Sequence, residues 1–130
     1  MLKEFLSYLV GKGADPNFKD EDNNSCLYHL ANTYGVSRDP IEFLVAAGAN
    51  TFDDGLRGAC KSQRGQPEII SLFLSKGANP NALLASETSL HLLTSSRGIN
   101  IDSIKMLLDA GGDLAIVDEY KRTVRKTFQF

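Results

Sequence analysis

The chain has 130 residues, enough for one domain whose core needs no disulfide or metal staple. Lys plus Arg is 14 and Asp plus Glu is 16, a net charge of -2, which excludes a dominant nucleic-acid-binding role because affinity for phosphate needs a strong basic excess. At 42% hydrophobic and 23% charged it reads as a folded, soluble chain, and no apolar run approaches the roughly 18 residues that span a bilayer.

In chain order, Leu2 to Val10 reads as an apolar helix that ends in Gly11-Lys12-Gly13. It carries Lys3 and Glu4 and lacks the small-residue cleavage site of a signal peptide. The turn segment Gly13-Ala14-Asp15-Pro16-Asn17 follows. Ser25, with Leu27 two positions later, then suits the start of a new helix, since its hydroxyl can accept from free helical N–H groups. Ile41-Glu42-Phe43-Leu44-Val45 is the next apolar helical stretch, ended by Gly48-Ala49-Asn50. The pattern recurs with Asp54 and Leu56 as cap and partner, Ile69 to Leu74 as helix, and Gly77-Ala78-Asn79-Pro80-Asn81 as turn. It recurs again with Thr88 and Leu90, Ile104 to Leu108, and Gly111-Gly112-Asp113. Each turn glycine suits a helix end, because glycine takes the left-handed conformation without steric cost. Cys26 and Cys60 have no CxxC spacing and are expected as reduced, buried thiols.

The spacing makes these segments repeats. The first glycines stand 35, 29 and 34 residues apart. From each cap to the following glycine the distance is 23 in all three copies. Only the stretch from glycine to cap varies: 12, 6, 11 and, with Thr123 as the last cap, 12. A helix pair of constant length with a variable connector is what a stacked solenoid requires, because helices must match their neighbours while connectors project.

These residues resemble the ankyrin repeat. Gly13 to Leu27 follows the family pattern in register, with Asn23 where a glycine is usual; Asn also tolerates the left-handed conformation. Thr88-Ser89-Leu90-His91 matches the T-P-L-H motif, and Gly111 to Thr123 restores the register, with Asp113 and Asp118 in place and Lys121 where glycine is usual. The resemblance covers essentially the whole chain. It implies an all-α solenoid of stacked helix-turn-helix pairs with short β-hairpin-like fingers. The expected division is a single domain over 1–130: an outer half repeat at 1–12, repeats at about 13–47, 48–76 and 77–110, and a partial repeat at 111–130.

The departures are informative. The helix pair is about two residues longer than the family norm, the second connector (Thr51-Phe52-Asp53) has lost most of its finger, and the third carries Leu84 where Asp is usual. Such irregularity points to a bacterial or viral ankyrin protein. The last residues, with Arg122, Arg125 and Lys126, fit either a polar cap or the start of a further repeat.

The resemblance implies non-catalytic binding of another protein through the concave side, formed by finger tips and the exposed face of the inner helices. By register, the first finger offers Lys19, Glu21, Asp22 and Asn24. The inner helices offer Asn32, Thr33, Lys61, Ser62, Ser95 and Ser96. These side chains face solvent whether or not anything binds. Leu83 and Leu84 lie on a connector that is usually polar, and one is expected exposed and the other buried. Phe18 and Phe52, at finger bases, are expected to pack. Loss of the second finger should leave a gap that shapes the footprint.

Asp20 is expected to bond backbone within its turn, while Glu21 and Asp22 could steer a basic partner. The acidic run lacks the spacing, central glycine and bidentate Glu of a calcium loop, so no metal is implied. His91 reads as the structural T-P-L-H histidine; His29 lies one position off that register, with Tyr28 in the histidine place. No nucleophile–histidine–acid spacing and no phosphate loop stands out, so no enzyme activity and no cofactor is implied. The expected partner is a protein, with neither nucleic acid nor membrane, bound by a monomer unless the array is truncated. The expected location is the cytoplasm, or the host-cell cytoplasm for a pathogen's protein. Two alternatives stand beside this reading: a small inhibitor or immunity-type protein that blocks a toxin or enzyme, and a structural fragment of a longer array.

Overall fold

The computed structural model describes residues 8–33, 37–61, 66–83, 87–95 and 101–116. Residues 8–11 are helical, and six helices follow. They are α1 (Cys26–Ala31), α2 (Arg38–Ala46), α3 (Phe52–Lys61), α4 (Pro67–Ser75), α5 (Ser89–Ser95) and α6 (Ile101–Asp109). Consecutive helices α1 and α2, α3 and α4, and α5 and α6 pack as pairs. The pairs stack so that α3 lies between α1 and α5, while α4 packs on α6. The result is the expected all-α solenoid: an inner row of α1, α3 and α5 backed by an outer row.

The four turns are one motif repeated. Gly13, Gly48, Gly77 and Gly111 all have φ between 90° and 110°. The residue after each glycine donates its N–H back to the last helical turn: Ala14 to Leu9, Ala49 to Leu44, Ala78 to Phe73 and Gly112 to Leu107. Each glycine N–H reaches Val10, Val45, Leu74 or Leu108. These paired bonds satisfy carbonyls that a helix end would leave open, and they require a left-handed residue between them.

A side-chain seam joins successive turns. Asn17 Nδ2 donates to Gly48 O (3.0 Å), and Asn50 N donates back to Asn17 Oδ1 (2.8 Å). Asn81 repeats this with Gly111 O (2.9 Å) and the Asp113 N–H (2.7 Å). The middle junction differs. Its connector is too short to place an asparagine there, and Asp53 Oδ1 accepts from Asn79 N (2.7 Å) instead. A carboxylate has no hydrogen to offer the Gly77 carbonyl, so the amide's reciprocal pair is reduced to one bond. Asn17→Ala or Asn81→Ala is expected to lower unfolding free energy by about 1–2 kcal/mol, for two partly solvated bonds each. Urea denaturation checks this, and an unchanged midpoint would show that the seam contributes nothing.

Among the described residues, two caps stand as predicted and one does not; Thr123 lies outside them. Ser25 Oγ accepts from Tyr28 N (3.4 Å), and Thr88 Oγ1 accepts from His91 N (3.3 Å), each at the third residue of its helix. Asp54 is not a cap: α3 begins at Phe52, and the Thr51 carbonyl already accepts from Gly55 N (3.1 Å). With the finger lost, the helix continues back into the short connector and draws Asp54 into its first turn.

Helix α3 is buried on two sides, and its glycines fit that position. A Cβ on Gly58 would overlap the Tyr28 carbonyl of α1, and one on Gly55 would overlap the Phe73 ring of α4. Leu27, Ile41, Leu56, Ile70, Phe73, Leu90, Leu93 and Leu107 are fully buried along the stack. Cys60 is buried, and desolvation raises its thiol to about 12; Cys26 is only half-buried, so the expectation of two buried thiols holds for one of them.

Candidate functional site

The first finger is built around one carboxylate. Asp20 Oδ1 accepts from Asp22 N (2.9 Å) and Asn24 N (3.0 Å), and Asp20 N donates to Asn24 O (3.0 Å). Asn23 at the tip has φ 65°, the left-handed value expected from its place in the motif. A lone antiparallel bridge, Lys19 with Ser25, closes the base, so this finger is a tight loop without full strands. Asp20 Oδ2 lies 2.7 Å from His29 Nε2 on α1 and ties finger to helix. The Asn24 amide and the His29 ring together hold the Asp20 carboxyl below the ordinary carboxylate range.

The sign of that shift sets a pH dependence. A depressed folded value means Asp20 stabilises the finger above the unfolded value near 3.8 and loses this contribution as pH falls through the lower folded one. Amide exchange at Asp22 and Asn24 is expected to quicken over that acidic range and to lose this step in Asp20→Asn. An exchange profile unaltered by the substitution would place the control elsewhere.

Finger and helices enclose a cleft where the second finger is missing. It has a volume of about 440 Å³ and is lined by Asp22, Asn23, Asn24, Tyr28, Asp54, Arg57 and Lys61. A smaller hollow of about 350 Å³ adjoins Asp54 from the other side, beside Lys19, Thr51 and Phe52. Asp54, Arg57 and Lys61 share the cleft-facing stripe of α3, at helical spacing. Arg57 stacks over the buried Tyr28 ring, 4.8 Å from its centroid, and its Nη1 donates to Asn24 Oδ1 (3.3 Å). Lys19 Nζ lies 3.4 Å from Asp54 Oδ2 and ties the finger base to α3.

The candidate residues divide accordingly. Asp22, Asn24 and Lys61 line the cleft. Lys19 and Glu21 are exposed, and Lys19 is engaged by Asp54. Asn32 is half-buried at the end of α1, and Thr33 Oγ1 donates to His29 O (2.9 Å). Leu83 is 54% exposed, apart from this group. Ser62, Leu84 and Ser96, and the side chain of Ser95, lie outside the described residues. Phe52 packs against the core as expected, whereas Phe18 does not: it is 71% exposed, because the loop it starts turns outward after Asn17 is drawn into the seam. Tyr28, Asp54 and Arg57 were not among the sequence candidates. For Asp54 and Arg57 the signal was the three-residue step between them beside a connector half the usual length.

His91 is fully buried. Its Nδ1 accepts from Thr88 Oγ1 (2.8 Å) and Thr88 N (3.3 Å), which makes it part of a helix start. Among the described residues no cluster of metal-ligating side chains occurs, and no helix is long and apolar enough to cross a membrane.

No family model matches the chain. It is 32% identical over 128 residues to Ankyrin repeat protein B18 of Vaccinia virus (strain Ankara). Its repeats are similar to those of ankyrin repeat proteins. The same identity relates it to Ankyrin repeat protein B18 of Variola virus and Ankyrin repeat protein B19 of Vaccinia virus (strain Western Reserve). Each alignment covers 93% of this chain and 19% of the relative, so the chain spans about a fifth of the length of the curated relatives it matches. Ankyrin repeats are in general non-enzymatic modules for protein–protein interaction. The viral relatives accord with the irregular connectors of this chain.

Proposed function

We propose that this chain binds a partner protein, without catalysis, through its concave side: the first finger and the exposed faces of α1 and α3. The observation that carries the reading is the finger's anchoring. Asp20 with His29, Lys19 with Asp54 and Asn24 with Arg57 tie one loop to two successive inner helices. A surface fixed before binding loses little conformational entropy on association. Beside it lies the cleft of the missing second finger, which gives the row a local shape that a regular array would not have.

The test is capture from host lysate on the immobilised chain, read by mass spectrometry. A parallel bait carries Glu21→Ala, Asp22→Ala and Lys61→Ala; Lys19 is left intact because it pairs with Asp54. A specific partner is expected to be held at least tenfold less by the variant. Equal capture by both baits would move the site off the concave side.

A second reading is a section of a longer array whose binding residues lie elsewhere. The 19% share of the relatives' length favours it. A longer chain that binds a partner while the three substitutions leave that binding unchanged would support it.

A further inference from the structure

We infer that the cleft of the missing finger receives the side-chain carboxamide of an asparagine or glutamine on the partner protein. The inference rests on the concave-face reading and names the group that this face takes.

Three observations point to a neutral, two-ended group. Asp54 is only 7% exposed, and its buried Oδ2 accepts no hydrogen bond; Lys19 Nζ, 3.4 Å away, forms an ion pair out of hydrogen-bond alignment. Arg57 Nε is likewise buried without an acceptor. Both residues line the same cleft from one face of α3, and no ion pair joins them. One wall therefore carries a carboxylate oxygen whose charge Lys19 meets but which accepts no hydrogen bond, and an N–H with no acceptor. Buried polar atoms in native proteins rarely stay unmatched, so a pair like this marks where a group from outside completes the bonding.

Charge narrows the class. Asp22 and Asp54 stand against Arg57 and Lys61 around the cleft, and the formal charges cancel. A partner carboxylate or ammonium would satisfy one of the two open atoms and repel the group around the other. A carboxamide satisfies both, with its NH2 toward Asp54 and its oxygen toward Arg57. It is also planar, which suits a wall where the Arg57 guanidinium already stacks on Tyr28.

A phage-displayed library of random linear peptides, panned on the full chain, tests this directly. Selected peptides are then measured by fluorescence anisotropy. They are expected to share one Asn or Gln. Its replacement by Asp, Lys or Leu, or the substitution Arg57→Lys in the chain, is expected to weaken binding at least tenfold, while Phe18→Ala leaves binding unchanged. If Arg57→Lys disturbs folding by circular dichroism, the exposed wall variants Asp22→Asn and Lys61→Ala take its place, each expected to weaken binding severalfold. Peptides with no common carboxamide, or indifferent to every cleft variant, overturn the inference. If such peptides still depend on Glu21 or Thr33, the concave-face reading stands alone. If they depend instead on Arg38, Glu42 or Lys105 of the outer row, both readings fail.

Discussion

Gly58→Ala is expected to cost about 3 kcal/mol or more of folding stability, although alanine is the better helix former by roughly 1 kcal/mol. The added methyl has no free space. It would overlap the Tyr28 carbonyl, which is backbone of α1 and cannot swing away as a side-chain tip could. Helix α1 would have to withdraw from α3, and the Arg57–Tyr28 stack and the Asn24–Arg57 bond would open with it. A loss of that size lowers the melting temperature by roughly 10 °C in a chain of this length. Gly11 supplies the control: it is helical, and a Cβ there meets nothing within 4 Å. Gly11→Ala is expected to be neutral or slightly stabilising. Thermal melts of the two variants decide the matter, and equal melting temperatures would mean that the α1–α3 contact yields easily.

Phe73→Ala is expected to cost about 3–5 kcal/mol, the range for deleting a fully buried aromatic ring. Phe73 comes from α4, has no exposed surface, and lies over Gly55 of α3. Its loss loosens the middle helix pair, which the outer pairs need as a neighbour on each side. The pairing with Gly55 adds a sharper test. Gly55→Ala alone drives a methyl into the ring and should destabilise; in the Phe73→Ala background the same methyl enters the vacated space and should be tolerated. Additive effects in urea denaturation of the double variant would show that the two residues do not share one site.

Much of the architecture was legible because it is written locally. A helix end that needs a left-handed residue and a helix start that needs a hydroxyl are read from a few adjacent positions. Thus Gly13, Gly48, Gly77 and Gly111 mark four helix-ending turns, Asn23 marks the finger tip, and Ser25 and Thr88 mark two helix starts. The site was legible only in outline. Asp22, Asn24 and Lys61 were candidates from register and do line the cleft; Arg57 and Tyr28 were not, because Arg57 belongs to no motif and Tyr28 stood only in the histidine place. Phe18 misled for a related reason. Its hydrophobicity suggests burial, but whether a loop residue is covered depends on how the preceding Asn17 is held.

By itself the sequence determined the period of the solenoid, the order of its helices, the turn geometry and the shortened middle connector, since these depend on bonding between close neighbours in the chain. Only the tertiary structure decided that α3 starts at Phe52, that Asp53 stands in for an asparagine in the seam, and that Asp54 and Arg57 meet the first finger around one cleft. Those outcomes depend on groups 26 to 35 residues apart: Asn79 reaching Asp53, Arg57 reaching Asn24, Gln66 reaching Ala31. No local pattern encodes such distances; they are set when the helix pairs stack.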